Sequence, residues 1–411
     1  MDFIYNIAVS IVNFHLKIIA QFNPKLKLGV VGRTETFTKL SAAIQKDDEV
    51  LWFHCASLGE YEQGLPVFQV LRERYSGFKI VLSFFSPSGY EIRKDSPIAD
   101  VVVYLPLDTK KNARRFLDAV QPKFTVFVKY DIWPNYLFEL KRRKLRAILI
   151  SAAFRENQSY FKFYGSRMRR ALSVFEHIFV QNEASKTLLK RIGIHNVTTS
   201  GDTRYDRVSQ QLEQNNTLDF IDEFKQHKTC VVVGSSWPED EKLLVEYINK
   251  HSTENVKYII APHNMKAGQI ETFKQSLTVD PTLFSEKSNV DLKNCSVFII
   301  NTIGLLSKIY SYADIAYVGG AMGTTGLHNI LEPAVFGVPI IIGKHYDKFP
   351  EAKQMIKEAG VRSIGNYKEL ETTLDQLLHD NALAKKLGGL NTNFIKKNRG
   401  AVIQITDYIR I

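Results

Sequence analysis

Cysteine is scarce in this chain. There are three in 411 residues, Cys55, Cys230 and Cys295, each in or beside an apolar run. An odd, buried-looking set excludes a disulfide framework and suits a reducing compartment. No Asp-x-Asp, His-Glu-x-x-His or paired zinc-type cysteines occur, so neither a bridging metal nor another cofactor is expected. The glycine-rich stretch described below is neither a Walker A motif nor a strict G-x-G-x-x-G. ATPase and nicotinamide chemistry are therefore unsupported. Zinc-finger spacing, an RNP motif and a basic recognition helix are all missing, and no nucleic-acid partner is expected. Short internal repeats and low-complexity tracts are absent too. The chain opens Met1-Asp2 without positive charge and shows no small-residue cleavage site, so a signal peptide is not expected.

Charge is present in excess of one sign. The formal net charge is +11, which suits a phospholipid surface or a phosphorylated substrate. With 45% hydrophobic residues the chain has material for two cores. Residues 3–20 are strongly apolar. Asn6, Ser10, Asn13 and Lys17 fall on one helical stripe, and Phe3, Ile4, Ile7, Ile11, Val12, Ile18 and Ile19 cover much of the rest. This predicts a helix lying in a membrane interface, followed by the cations Lys25, Lys27 and Arg33. An ordinary helix packed on its domain is the other reading.

Short Val-, Ile- and Phe-rich runs then alternate with amphipathic segments. The runs are 50–56, 79–85, 101–105, 124–128, 147–151 and 177–181, and later 229–234, 258–261, 297–301, 315–320 and 339–342. Such alternation predicts βαβ units and parallel sheets covered on both faces. The polar stretch 206–228 interrupts it. Boundaries are expected at 1–24 for the membrane-associating helix, 25–205 for the first domain, 206–228 for a linker and 229–411 for the second domain. The last helix, about 382–411, is expected to cross back. Two doubly wound domains of this kind bind ligands where their strands end, in a crevice.

Residues 313–344 read as strand, glycine loop, helix and strand. Gly319, Gly320, Gly323 and Gly326 let the backbone approach a phosphate. A helix is expected from His328-Asn329, with Glu332 in its first turn and a positive dipole end for an anion. In the first half, Ser57-Leu58-Gly59-Glu60 follows a strand, and Glu60 is placed to accept a proton from an attacking hydroxyl. Its plainer role is to complement the helix dipole. Lys129 and Asp131 follow another strand, before Trp133-Pro134-Asn135. Arg204, in Gly201-Asp202-Thr203-Arg204-Tyr205-Asp206, suits a bidentate phosphate or carboxylate. Ser235-Ser236, Pro262-His263 and Ile303-Gly304-Leu305 also lie just past strands, an arrangement that suggests a nucleotide site.

These blocks, together with Pro66, Gln181-Asn182-Glu183 and Gly326-Leu327-His328-Asn329-Ile330-Leu331-Glu332-Pro333, resemble the 3-deoxy-D-manno-octulosonic acid (Kdo) transferases over almost the whole chain. The resemblance implies a GT-B fold, with an acceptor domain first and a CMP-sugar domain second. It implies CMP-Kdo as donor, a lipid A precursor as acceptor, and a place at the cytoplasmic face of the inner membrane. Glu60 matches the family's base. Arg204 matches a basic position, usually Lys, that stabilises the transition state. Pro262-His263, Ile303-Gly304-Leu305 and Asn329-Ile330-Leu331-Glu332 match segments that hold CMP. Lys129 stands where the family commonly has Glu, in a supporting catalytic role. His263 replaces a usual Arg, Leu305 a usual Glu and Trp237 a common His. A nucleotide-sugar epimerase of the same fold would need neither the lipid acceptor nor the apolar N-terminus. A non-catalytic nucleotide- or lipid-binding relative would show no transfer at all.

Overall fold

The computed structural model describes residues 2–411, without the side chains of residues 2–4 and 13. Met1, and the parts that Phe3, Ile4 and Asn13 play in the expected helix stripe, therefore lie outside the described residues. The chain forms two units, one of residues 1–207 with 399–411, the other of residues 208–398.

The first unit holds a seven-stranded sheet: β1 (Val50–Cys55), β2 (Lys79–Phe84), β3 (Val101–Tyr104), β4 (Phe124–Val128), β5 (Arg146–Ala152), β6 (His177–Val180) and β7 (Val197–Thr199). All neighbours are parallel, in the order β3-β2-β1-β4-β5-β6-β7. Side chains alternate across the strand, so β1 feeds two cores. Val50 and Trp52 enter one, while Leu51, Phe53 and Cys55 enter the other. Helix Leu58–Arg74 packs closely on the sheet. Phe68 stacks on Phe53 at 4.2 Å, and a Cβ at Gly64 would collide with Phe68.

The second unit repeats the plan with β8 (Thr229–Ser236), β9 (Val256–Pro262), β10 (Pro281–Leu283), β11 (Val297–Ile299), β12 (Ile315–Val318), β13 (Ile340–Ile342) and β14 (Val361–Ser363). The order is β10-β11-β9-β8-β12-β13-β14, again all parallel. Two Rossmann-like sheets of this kind make a GT-B type fold. The strand order reverses beside β1 and β4 in the first sheet, and beside β8 and β12 in the second. Those are the points where doubly wound sheets open for ligands.

Three local expectations change. The stretch 206–228 is not a bare linker, because it carries helices Thr203–Gln210 and Asp219–Lys225. The C-terminal helix is two helices, Asn381–Asn398 and Ala401–Tyr408. Gly400, at φ 114°, breaks them, since no right-handed helix continues through that conformation. The second piece belongs to the first unit, where Val402, Ile405 and Ile409 join the core beside helix Leu58–Arg74. Finally, the helix after the glycine loop is only Leu331–Val335. Asn329 lies outside it and accepts the Leu331 N–H at 3.2 Å, so the side chain expected inside the helix organises its entrance instead.

Helix Asp2–Ile19 is bolted to the first unit by polar groups. Tyr5 donates to Asp108 (2.7 Å), Asn135 donates to Asn6 (3.0 Å), and Arg167 lies over the Tyr5 ring. Burial beside Asp108 pushes the Tyr5 phenol far above its usual range. Ile7, Ile11, Val12, Phe14, Ile18 and Ile19 are left exposed. Among the described residues no helix is long and apolar enough to cross a membrane. Lys25 and Lys27 are exposed, but Arg33 is not a surface cation as expected. Its guanidinium donates to the carbonyls of Gly29, Phe85 and Leu105 and lies over the Phe85 ring.

Candidate active site

At the carboxyl end of β1 the chain turns directly into helix Leu58–Arg74. Ser57 is the N-cap and Glu60 the third helical residue. The S-x-x-E spacing is that of a capping box, yet the Ser57 hydroxyl caps no backbone N–H. It donates instead to the Glu60 carboxylate. Gly89, in helix Pro87–Arg93, presses on the Ser57 main chain, where a Cβ would stand 3.0 Å from the carbonyl carbon. Glu60 is 8% exposed, and its other carboxylate oxygen lies 3.7 Å from Lys129 Nζ. Lys129 sits at the end of β4, across the switch point from β1. It takes φ 71°, a conformation that costs a non-glycine residue about 1–3 kcal/mol.

The expected crevice pair, Lys129 and Asp131, is therefore divided between two partners. Asp131 Oδ2 meets His54 Nε2 at 2.5 Å. His54 is fully buried in β1, its Nδ1 2.8 Å from Ser83 Oγ and its Nε2 3.0 Å from Trp133 Nε1. Asp131 and the donor-only Trp133 indole N–H thus converge on the same His54 nitrogen, while Ser83 takes the other. Trp133 also packs on Phe85 at 4.6 Å. The loop that carries Lys129 is thus tied into the sheet two and four residues later. Residue types alone did not assign His54 this part, although a lone His inside an apolar strand was a visible anomaly.

Arg204 opens helix Thr203–Gln210 and is held by Asp202, with Nε at 2.9 Å and Nη2 at 2.7 Å from Oδ2. Its neighbour Thr203 donates to the Gln63 carbonyl at 2.6 Å, which joins this segment to the helix of Glu60. Glu60, Lys129 and the segment of Arg204 are thereby gathered on one unit.

The second unit's strand ends are furnished differently. Gly319 N–H bonds to the Gly234 carbonyl, and Gly326 N–H to that of Gly320, which folds the glycine loop on itself. Gly320 has φ 96°, and a Cβ there would overlap the Gly326 carbonyl. Asp240, fully buried, accepts from Gly320 N–H (2.8 Å), Trp237 N–H (3.0 Å) and Tyr317 hydroxyl (2.8 Å). Burial raises its pKa, and those donors oppose the rise. Sequence reasoning missed Asp240. The signal was an acid three residues after Trp237, the spacing of an N-terminal helix cap.

Three rings cluster beside the loop. Trp237 stacks on His263 at 4.4 Å, and His263 lies 4.6 Å from His328. Burial, then the neighbouring His263, pulls His328 down to about 4, and burial lowers His263. Pro262 ends β9 and is buried, while His263 is exposed. Asn329 donates to Glu332 at 3.0 Å. Ile330 and Leu331 are buried, main chain included. Ile303 is exposed, Gly304 takes φ 90°, and Leu305 caps the short helix Leu306–Ile309.

Residues 31–207 match the family model described as 3-deoxy-D-manno-octulosonic-acid transferase (kdotransferase). A 3-deoxy-D-manno-octulosonic acid transferase of Haemophilus influenzae is 26% identical over 380 residues, which is 88% of this chain and 86% of that one. Another of the same name, from Aquifex aeolicus, is 27% identical and covers 80% of this chain and 86% of its own. Among solved structures, the UDP-GlcNAc 2-epimerase of Neisseria meningitidis superposes with TM-score 0.61. It is 15% identical and covers 87% of this chain and 98% of its own, which is a likeness of fold. The resemblance read from the motifs therefore holds along most of the chain, and the chain is a glycosyltransferase.

Proposed function

We propose that this glycosyltransferase moves Kdo from CMP-Kdo to a lipid A precursor of the tetraacyl disaccharide type, in lipopolysaccharide core synthesis. One observation carries the reading. Within the stretch that matches the Kdo transferase model, a buried carboxylate stands at the switch point of a doubly wound sheet, aimed by Ser57 and Lys129 rather than spent on a helix cap.

Glu60 takes the proton of a primary hydroxyl on the acceptor. The freed electron pair forms a bond to the anomeric carbon of Kdo while the bond to the phosphate oxygen breaks, in one inverting displacement without metal. The leaving pair goes to CMP. Lys129 supplies the counter-charge that fixes the direction of Glu60. Arg204, swinging from Asp202, meets the charge that grows on the phosphate. His263, the Ile303–Leu305 turn and Asn329 to Glu332 hold the nucleotide, with Pro262 beneath them. The acceptor is an anionic membrane lipid, which suits the net charge of +11 and the apolar face of helix Asp2–Ile19. The enzyme then works from the cytoplasmic face of the inner membrane, held peripherally by that helix.

Purified protein incubated with freshly generated CMP-Kdo and the tetraacyl disaccharide should yield a lipid heavier by at least one Kdo in mass spectrometry. An unchanged lipid with intact donor would sink the reading, and a changed sugar nucleotide would point to an epimerase.

A further inference from the structure

Phe163 is 94% exposed and Tyr164 next to it is 56% exposed. The turn that carries them is stiff. Arg169 Nη1 donates to the carbonyls of Tyr160 (2.9 Å) and Lys162 (2.8 Å). Gly165 N–H bonds to the Lys162 carbonyl, and a Cβ on Gly165 would overlap the Ser159 carbonyl. Two large aromatic rings are therefore held outward by design of the backbone, not by slack in it. Besides the buried Arg167, residues 155–170 carry four cations that reach solvent (Arg155, Lys162, Arg169, Arg170) against one acid, Glu156.

The same segment shares its foundation with the N-terminal helix. Arg167, 5% exposed, covers the Tyr5 ring and donates to Asn135, which in turn donates to Asn6. The aromatic turn and the exposed apolar residues of helix Asp2–Ile19 are thus fixed on one rigid base.

We infer that the Lys162–Tyr164 turn is a second membrane-contact point, which inserts Phe163 and Tyr164 at the headgroup level of a bilayer rich in anionic lipid. The chemistry is that of interfacial aromatics flanked by cations. Two short anchors on one rigid base bind far more firmly than either alone, as linked sites do. The inference rests on the membrane part of the proposed function and not on its chemistry.

The test uses the full chain and vesicles of phosphatidylglycerol with phosphatidylethanolamine, against vesicles of phosphatidylcholine alone. F163S/Y164S should weaken binding to the anionic vesicles by roughly tenfold or more, with an unchanged melting temperature. Phe163→Trp should show blue-shifted emission on those vesicles and quenching by brominated acyl chains. Wild-type binding should fall on the neutral vesicles and with added salt. Full binding by F163S/Y164S, while I11S/F14S is released, would overturn this inference and leave the helix as the sole anchor. Aqueous emission from Phe163→Trp on bound protein would overturn it as well. So would a self-association that F163S/Y164S abolishes without any change in vesicle binding. Wild-type protein that ignores both vesicle types would overturn the inference and the membrane part of the proposed function together, whereas transfer to a detergent-dispersed acceptor would still report on the chemistry.

Discussion

Each sheet reverses its strand order at one place, beside β1 and β4 in the first unit and beside β8 and β12 in the second, and the two places are equipped with different chemistry. In the first, ionisable side chains meet. Glu60 faces Lys129, and Asp131 faces His54. In the second, glycine backbone and rings of low basicity meet, over a buried Asp240 that binds main-chain N–H groups. One topology thus offers two kinds of site. The first presents an ionisable side chain on a short path from a strand, which suits the proton transfer proposed above; the second removes side chains and orders the backbone, which suits the close approach of an anion.

The sharpest way to break this comparison is Glu60→Gln. Turnover should fall by about 10²–10⁴-fold, with CMP binding by calorimetry unchanged. A loss of CMP affinity equal to the loss of turnover would mean that the division of labour is false. Gly320→Ala should act in the opposite sense. It should weaken CMP binding about tenfold or more and lower the melting temperature by several degrees, because its φ of 96° costs an alanine about 1–3 kcal/mol before any overlap is relieved. His54→Gln should release Asp131 and let the Lys129 loop relax, lowering kcat several-fold while KM for CMP-Kdo stays put. In a Lys129→Met background the same change should add little. Equal effects in both backgrounds would show that His54 does not act through Lys129.

The smallest expected effect concerns the second unit's rings. His328 is held at about 4 against an ordinary 6.5, so between those values the unfolded chain binds more protons than the folded one. Stability from this group is complete above about pH 6.5 and drains away as the pH falls toward about 4. His328→Gln should flatten that slope in urea titrations at pH 5 and 7.5. An unchanged slope would place the acid sensitivity elsewhere.

The interior of both sheets was legible from residues alone. β1, β2, β4, β5, β8, β9 and β12 are runs covered on both faces, and such strands announce themselves by unbroken apolar content. The strands that went unread are β7, β10 and β14. Each has three residues and stands at the edge of its sheet, where half the contacts that would demand an apolar run are missing. At the site, Glu60 and the glycine loop were legible because their residue types are unusual just after a strand. Their partners were not. Nothing in the spacing of Lys129 and Asp131 says that one turns to Glu60 and the other to His54. That outcome depends on the register that sets β1 beside β4. Asp240 was hidden in a common capping pattern. Arg33 misled because a cation after an apolar helix reads as a surface group until three carbonyls are found around it.

Residues 399–411 return to the first unit after the whole second unit has intervened, and Asp206 receives the Gly400 and Ala401 N–H groups where they arrive. During translation the second unit has all its strands before the first has its final helix. The nascent first unit must wait with the groove of helix Leu58–Arg74 uncovered by Val402, Ile405 and Ile409. A chain ended at residue 398 would therefore carry all of the second unit tethered to a first unit without its last helix, and a gene cut at the unit boundary would deliver an incomplete first unit.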